Sequence, residues 1–198
     1  MFNLLDVHPV TAEQLVRIGL FPTVKIAQRR LIKLVQKKKI WQLGTALMND
    51  RGRPCNVYSR ARFKVDNLRH EVLLTEFLLA FLDGDIVRGY DLHEKQRPDA
   101  KFTSDGKTYF VELDCGTMNY QHIISKRFRK YEDYEGLVLW VALTDVRKEG
   151  LRSRASIVSH NALFTTLNAS LMNPYGGVWQ DYEGNITSVE KPEEKSSD

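Results

Sequence analysis

The stretch RPDAKFTSDGKTYFVELD, Arg97 to Asp114, gathers the residue types that metal-assisted phosphodiester chemistry uses. Asp99 follows a proline at the entry of one β-like run, AKFT, and Glu112 and Asp114 close a second, TYFVELD. Between them Asp105-Gly106 is a strong hairpin signal. Strict alternation along the second run puts Tyr109, Val111 and Leu113 on one face and Phe110, Glu112 and Asp114 on the other. A hairpin of this kind gathers three carboxylates at one end, so Asp99, Glu112 and Asp114 are the candidate metal ligands. Oxygen ligands that leave several waters in place suit Mg²⁺ or Mn²⁺, which would polarise a phosphodiester and activate water. The plain alternative is an exposed acidic strand edge. Such chemistry also needs a cation or base to place the water, and the nearby candidates are Lys101, His122, Lys126 and Lys130.

The surrounding pattern describes the elements that must position these groups. DNLRHEVLLTEFLLAFL carries apolar residues at helical spacing, and IVRGYDLHE reads as a strand before the hairpin. QHIISKRFRKYEDY, Gln121 to Tyr134, reads as a helix with an apolar stripe and a basic patch of Lys126, Arg127, Arg129 and Lys130. GLVLWVALT is a continuous apolar run, as expected of a central strand buried on both faces. ASIVSHNALFTTLNASLM reads as a further strand and helix, and the polar tail 189–198 as disordered. The order predicts an α/β (α+β) domain over 63–188, three layers with a mixed sheet.

The first sixty residues have a different character. Thr11 is a good N-cap for a short helix that Gly19 ends, and Pro22-Thr23 open the next. In this second helix Ala27, Leu31, Leu34 and Val35 share one arc, while Lys25, Arg29, Arg30, Lys33 and Lys37 occupy the opposite one. IWQLG, a turn from Asn49 to Pro54, and a strand from Asn56 then read as a hairpin. Helix, turn, basic helix and hairpin predict a winged helix over 1–62. The basic helix would then enter a major groove of double-stranded DNA, with Arg51 and Arg53 at the hairpin tip reaching the backbone. Gln28, Arg29 and Arg30 are the positions best suited to reading bases.

Charge agrees with that division. Met1 to Lys64 holds 13 Lys+Arg against 3 Asp+Glu, whereas the whole 198-residue chain has 29 against 25. A positive field of this density points to nucleic acid first and an anionic membrane surface second. No apolar run approaches the roughly 18 residues that span a bilayer, and a signal-peptide pattern is lacking, so the expectation is a cytoplasmic protein without a membrane partner. Cys55 and Cys115 stand far apart and outside any CxxC pairing, which indicates neither a disulfide framework nor a zinc site.

With Pro98-Asp99 and Glu112-x-Asp114 at its hairpin, the second domain resembles the PD-(D/E)xK nuclease-like fold. The whole chain resembles the replication-relaxation family of bacterial plasmids and mobile elements. The resembling features are the winged helix, Arg69-His70 leading a helix, RPDA, FVELDCGT, the basic helix ending in KRFRKYEDY, and YGGVWQDYEG from Tyr175. The resemblance implies a DNA-binding accessory or initiation factor in plasmid replication or DNA relaxation, working at an origin or operator beside a replication or mobilisation protein. In the wider nuclease fold the positions matching Asp99 and Glu112 bind metal, and the position of Asp114 carries a lysine. Here that lysine is missing, and Lys126 or Lys130 from the following helix are the substitutes. The competing readings are a Mg²⁺-dependent nickase or endonuclease with Asp99, Glu112, Asp114, Lys126 and Lys130 as its catalytic set, and a repressor that binds an operator as a homodimer.

Overall fold

A computed structural model describes residues 8–48, 52–61, 68–81, 85–88, 97–104, 106–131, 136–155 and 161–191. The chain divides into two compact units, Met1–Leu79 and Ala80–Asp198.

In the first unit β1 (Val10–Thr11) leads into α1 (Ala12–Arg17), followed by α2 (Val24–Gln36), β2 (Trp41–Ala46), β3 (Cys55–Ser59) and α3 (Leu68–Leu78). Thr11 caps α1 through a capping box: its hydroxyl accepts from Gln14 N, and Gln14 Oε1 accepts from Thr11 N at 2.9 Å. Gly19 follows at φ +76°, a left-handed conformation that glycine adopts without cost, and turns the chain into α2. Thr23 caps α2, whose Ala27, Leu31 and Leu34 are buried against Val10, Leu15 and Tyr58. The three strands form an antiparallel sheet in the order β1-β3-β2.

The sequence pattern assigns α3 to the second domain, but α3 groups with the first unit. Val72 packs with Ala46 and Val57, and buried polar contacts that periodicity does not reveal add to this. Gln14 Nε2 donates to Val72 O at 3.0 Å and to Glu76 Oε2 at 2.8 Å, Arg17 pairs with Glu76, and Thr75 Oγ1 donates to Pro9 O at 2.9 Å.

The second unit is built on a mixed seven-stranded sheet of order β10-β9-β8-β7-β6-β5-β4. Its strands are β4 (Asp85–Arg88), β5 (Ala100–Ser104), β6 (Lys107–Asp114), β7 (Leu137–Ala142), β8 (Ala162–Thr166), β9 (Trp179–Gln180) and β10 (Ile186–Thr187). β6, β7 and β8 run parallel, and the remaining neighbours pair antiparallel. Ser104 pairs with Lys107 where β5 meets β6, and Gly106 has φ +69°; Asp105 of the expected turn lies outside the described residues. The apolar run after Gly136 is the central strand β7, as its composition predicts.

Between β6 and β7 the chain is helical but irregular: α-helical at Tyr120–His122, π-helical at Ile123–Arg127 and 3-10 at Phe128–Tyr131. The expected continuation to Tyr134 lies outside the described residues, as does most of the expected strand after Arg88. Between β7 and β8 stands α4 (Asp145–Ala155), a helix the sequence reading omits because its mostly polar surface hides the apolar period; only Leu151 and Ala155 are buried. α5 (Leu167–Met172) follows β8, capped by Thr166. The helical run and α4 cover one face of the sheet, where Phe128 meets Trp140 edge-on at 4.6 Å and Leu151 and Ala155 join the same core. The opposite face carries a ladder of Phe81, Phe102 and Tyr109, with centroids 4.9 and 4.8 Å apart.

The tail expected to be disordered begins as ordered chain. Val189 is buried, Ser104 Oγ donates to Glu190 O at 3.3 Å, and Lys107 pairs with Glu190 at 2.5 Å. One apolar side chain and one ion pair anchor a segment whose composition alone argues for disorder; residues 192–198 lie outside the described set.

Gln14→Ala removes half of the capping box together with two buried hydrogen bonds to α3. Such losses cost about 1–3 kcal/mol. Urea denaturation should show a lower midpoint, and an unchanged midpoint would mean that Gln14 does not join α1 to α3.

Candidate active site

The site grows from the end of β6. Alternation along that strand sends Phe110, Glu112 and Asp114 to the face covered by the helical run and α4, so both carboxylates are buried, each at 1% exposure. Burying an unpaired carboxylate costs several kcal/mol, so each needs partners.

Glu112 finds three. Oε1 accepts from Tyr131 Oη at 2.6 Å and from Lys130 Nζ at 3.2 Å, while Oε2 accepts from Arg127 Nη1 at 2.8 Å. Arg127 ends the π-helical span and Lys130 and Tyr131 lie in the 3-10 turn that follows it, and all three side chains reach Glu112. Asp99 approaches from the other strand of the hairpin. Its backbone N–H donates to Val111 O at 2.9 Å, and its Oδ2 accepts from Leu113 N at 2.8 Å, which fixes it along β6 on either side of Glu112. Lys130 Nζ also donates to Arg97 O at 3.3 Å, so one ammonium bridges the RPDA segment and Glu112.

The electrostatics follow from this crowding. Burial first, then the Asp99 carboxylate, pushes the Glu112 pKa above its ordinary 4.5, against the opposing pull of Arg127, Lys130 and the Tyr131 hydroxyl. Burial, then Glu112 as charge and as hydrogen-bond acceptor, pushes the Tyr131 phenol far upward. Tyr131 is therefore held as a neutral donor, a structural partner of Glu112. Burial opposes the charge on Arg127, but Glu112, Asp99 and Asp114 outweigh it and raise the guanidinium pKa.

Asp114 separates from this group. Its Oδ2 accepts from Arg147 Nε at 2.6 Å and its Oδ1 from Gly116 N at 2.8 Å. Among the described residues no three or more His, Cys, Asp or Glu side chains stand together in a way that could hold a metal ion. The expectation of a three-carboxylate cluster of Asp99, Glu112 and Asp114 is therefore corrected to a pair, Asp99 and Glu112, with Asp114 committed to a guanidinium. Of the two candidate lysines, Lys130 reaches Glu112 and Lys126 does not: Lys126 is exposed and makes none of these contacts. Lys101 instead lies 5.7 Å from the Phe110 ring centroid, and His122 is exposed.

The decisive residue that sequence reasoning missed is Arg147, because α4 was not recognised. The available signal was Thr144-Asp145 at the end of an apolar strand, a helix start ahead of VRKEGLRSRA.

In the first unit Lys25, Gln28, Arg29, Arg30, Lys33 and Lys37 are all exposed on α2, opposite its buried Ala27, Leu31 and Leu34. Arg53 is exposed between β2 and β3, and Arg51 lies outside the described residues. Cys55 and Cys115 are not joined in a disulfide. Among the described residues no helix is long and apolar enough to cross a membrane.

For Glu112 the raised pKa fixes the sign of a pH effect. A carboxyl that binds its proton more tightly folded than unfolded contributes less stability as pH rises through the window above 4.5. The stability of the native protein minus that of Glu112→Gln should thus decline as pH increases through this window. Urea denaturation of both proteins across that range measures it, and a difference that grows with pH would reverse the assignment.

A family model described as "Competence protein CoiA, nuclease-like domain" matches residues 87–173, which include Asp99, Glu112, Asp114, Arg127, Lys130, Tyr131 and Arg147. No curated protein and no solved structure matches the chain. The likeness thus lies with a nuclease-like domain and does not extend to the replication-relaxation family; residues 87–173 are similar to that domain and include the central strands of the mixed sheet.

Proposed function

We propose that the second unit is a metal-dependent DNA endonuclease or nickase whose reacting groups are Asp99, Glu112 and Lys130. The observation that carries this reading is Lys130 Nζ, 3.2 Å from Glu112 Oε1 and 3.3 Å from Arg97 O, beside Asp99 in a segment similar to a nuclease-like domain. The lysine missing from β6 has a substitute reaching the same carboxylate from the helical run.

The donor set suits a hard divalent cation. Mg²⁺ keeps several waters and needs only one or two protein carboxylates besides substrate phosphate, so the pair Asp99 and Glu112 is sufficient. A carboxylate has about four lone-pair sites, and Tyr131, Lys130 and Arg127 engage three at Glu112. Bound there, Mg²⁺ or Mn²⁺ would supply a polarised phosphoryl oxygen and a more acidic water.

The protein's own groups have distinct tasks. Tyr131 and Arg127 hold Glu112 in orientation from the buried side. Lys130 is half-exposed and places water at the carboxylates. Hydrolysis then joins the water oxygen to phosphorus and breaks the opposite P–O bond, and the leaving oxygen takes a proton. The exposed basic face of α2, with Arg53, would hold duplex DNA as a winged helix does. Plasmid origins and operators, and a replication or mobilisation protein as partner, remain the substrate context of the replication reading.

A second reading, DNA binding without cleavage, is favoured by the charge match at the site. Glu112 already pairs with Arg127 and Lys130, and Asp114 with Arg147. The test is cleavage of supercoiled and linear DNA with Mg²⁺ or Mn²⁺ by the native protein, Glu112→Gln and Lys130→Met. We expect nicking that falls about 100-fold or more in both variants, in the range for loss of a positioned acid–base or charge-stabilising group. Tight binding by all three with no cleavage by any would select the second reading.

A further inference from the structure

Beside the carboxylates stands a cluster that the proposed chemistry does not use. Tyr120 opens the helical run, and two guanidiniums from α4 pack against its ring: Arg147 at 4.3 Å and Arg154 at 4.1 Å from the centroid. Arg147 is further fixed by Asp114 at 2.6 Å and by Met118 O at 2.5 Å, and Arg154 Nη1 donates to Gly150 O at 2.8 Å.

Gly150 shows how closely this stack is built. A Cβ there would lie 2.0 Å from Tyr120 Oη, so the ring rests against α4 where only a hydrogen fits. Glycine inside an exposed helix costs about 1 kcal/mol relative to alanine. That cost goes with the seating of the ring, and with it the two arginines.

The charges do not balance. Arg147 is paired with Asp114, but among the described residues Arg154 has no carboxylate partner. Two guanidiniums on one ring repel each other, and the ring's negative faces offset only part of that repulsion. An anion with several oxygens would complete the arrangement, and planar guanidinium forks match phosphate best. Asp114 shares the β6 face with Glu112, so the stack lies along the same side of the sheet as the proposed cleavage groups.

We infer that Arg147, Tyr120 and Arg154 form a binding site for the DNA backbone phosphate of a duplex, separate from the Asp99–Glu112 pair. The inference rests on the reading that this unit acts on DNA, and it does not require cleavage. Asp114, in the position of a nuclease lysine, then acts as the anchor that brings a guanidinium to this edge of the site.

The test is fluorescence anisotropy of a labelled duplex without divalent metal, across a salt series. The Arg147→Gln/Arg154→Gln protein should bind at least tenfold more weakly, with a log–log salt slope smaller by about one to two units, since each phosphate contact contributes about 0.9. Gly150→Ala keeps every charge but displaces the Tyr120 ring, whose Oη, Cζ and Cε1 all lie within 3 Å of the added methyl, so at matched folded fraction in urea denaturation it should bind several-fold more weakly. An unchanged slope in the double variant overturns the inference. So does weakening in the double variant that only tracks loss of folded protein in urea denaturation, with Gly150→Ala binding normally. No binding by the native protein overturns this inference and the DNA reading together, whereas native binding without cleavage in Mg²⁺ overturns the nuclease reading alone.

Discussion

Glu112 is the constraint on which the second unit depends. It lies near the centre of a seven-stranded sheet with 1% of its surface exposed, where an unpaired charge would cost more than a small domain's margin of stability allows. Its partners decide how the neighbouring chain runs. The helical segment after β6 passes through a π turn at Ile123–Arg127, and Arg127, Lys130 and Tyr131 then face the carboxylate while Phe128 enters the core. π turns of this sort often accompany functional sites, where side-chain aim matters more than regular hydrogen bonding.

The same logic repeats two residues along the strand with a different result. Asp114 points to the same face but takes its guanidinium from α4, which joins β6 to the helix that follows β7. One strand therefore carries two buried carboxylates with separate cationic partners. The first stands near Asp99 and is paired with Arg127 and a half-exposed lysine; the second is sealed by Arg147 and connected to the Tyr120 stack. Asp114 was an attractive metal ligand because spacing places it beside Glu112. Its salt-bridge partner, Arg147, comes from thirty-three residues away in sequence.

Much of the local structure was legible beforehand. Thr11 and Thr23 as caps, Gly19 as a helix end, the pairing of Ser104 with Lys107 and the buried run of β7 all depend on chemistry within a few residues. The exposure of Lys25, Arg29, Arg30, Lys33 and Lys37 follows from the 3.6-residue period of α2 in the same way. The membership of α3 was not legible, since an apolar stripe says that a helix is buried without saying against what. Val72 against Ala46 and Val57, and Gln14 bonded to Glu76 sixty-two residues away in sequence, decide that.

The sequence by itself determined the hairpin, the alternation that buries Glu112 and Asp114 together, and the absence of a lysine at the second position, because period-two geometry and turn chemistry act over short distances. Only the tertiary structure decided which cation answers each carboxylate. Lys130, in the turn that follows the π-helical span, reaches Glu112 while Lys126 within that span is exposed, and Arg147 reaches Asp114 because parallel β6 and β7 bring the start of α4 beside the end of β6. Those outcomes depend on packing between elements distant in sequence, and residue spacing carries no record of it.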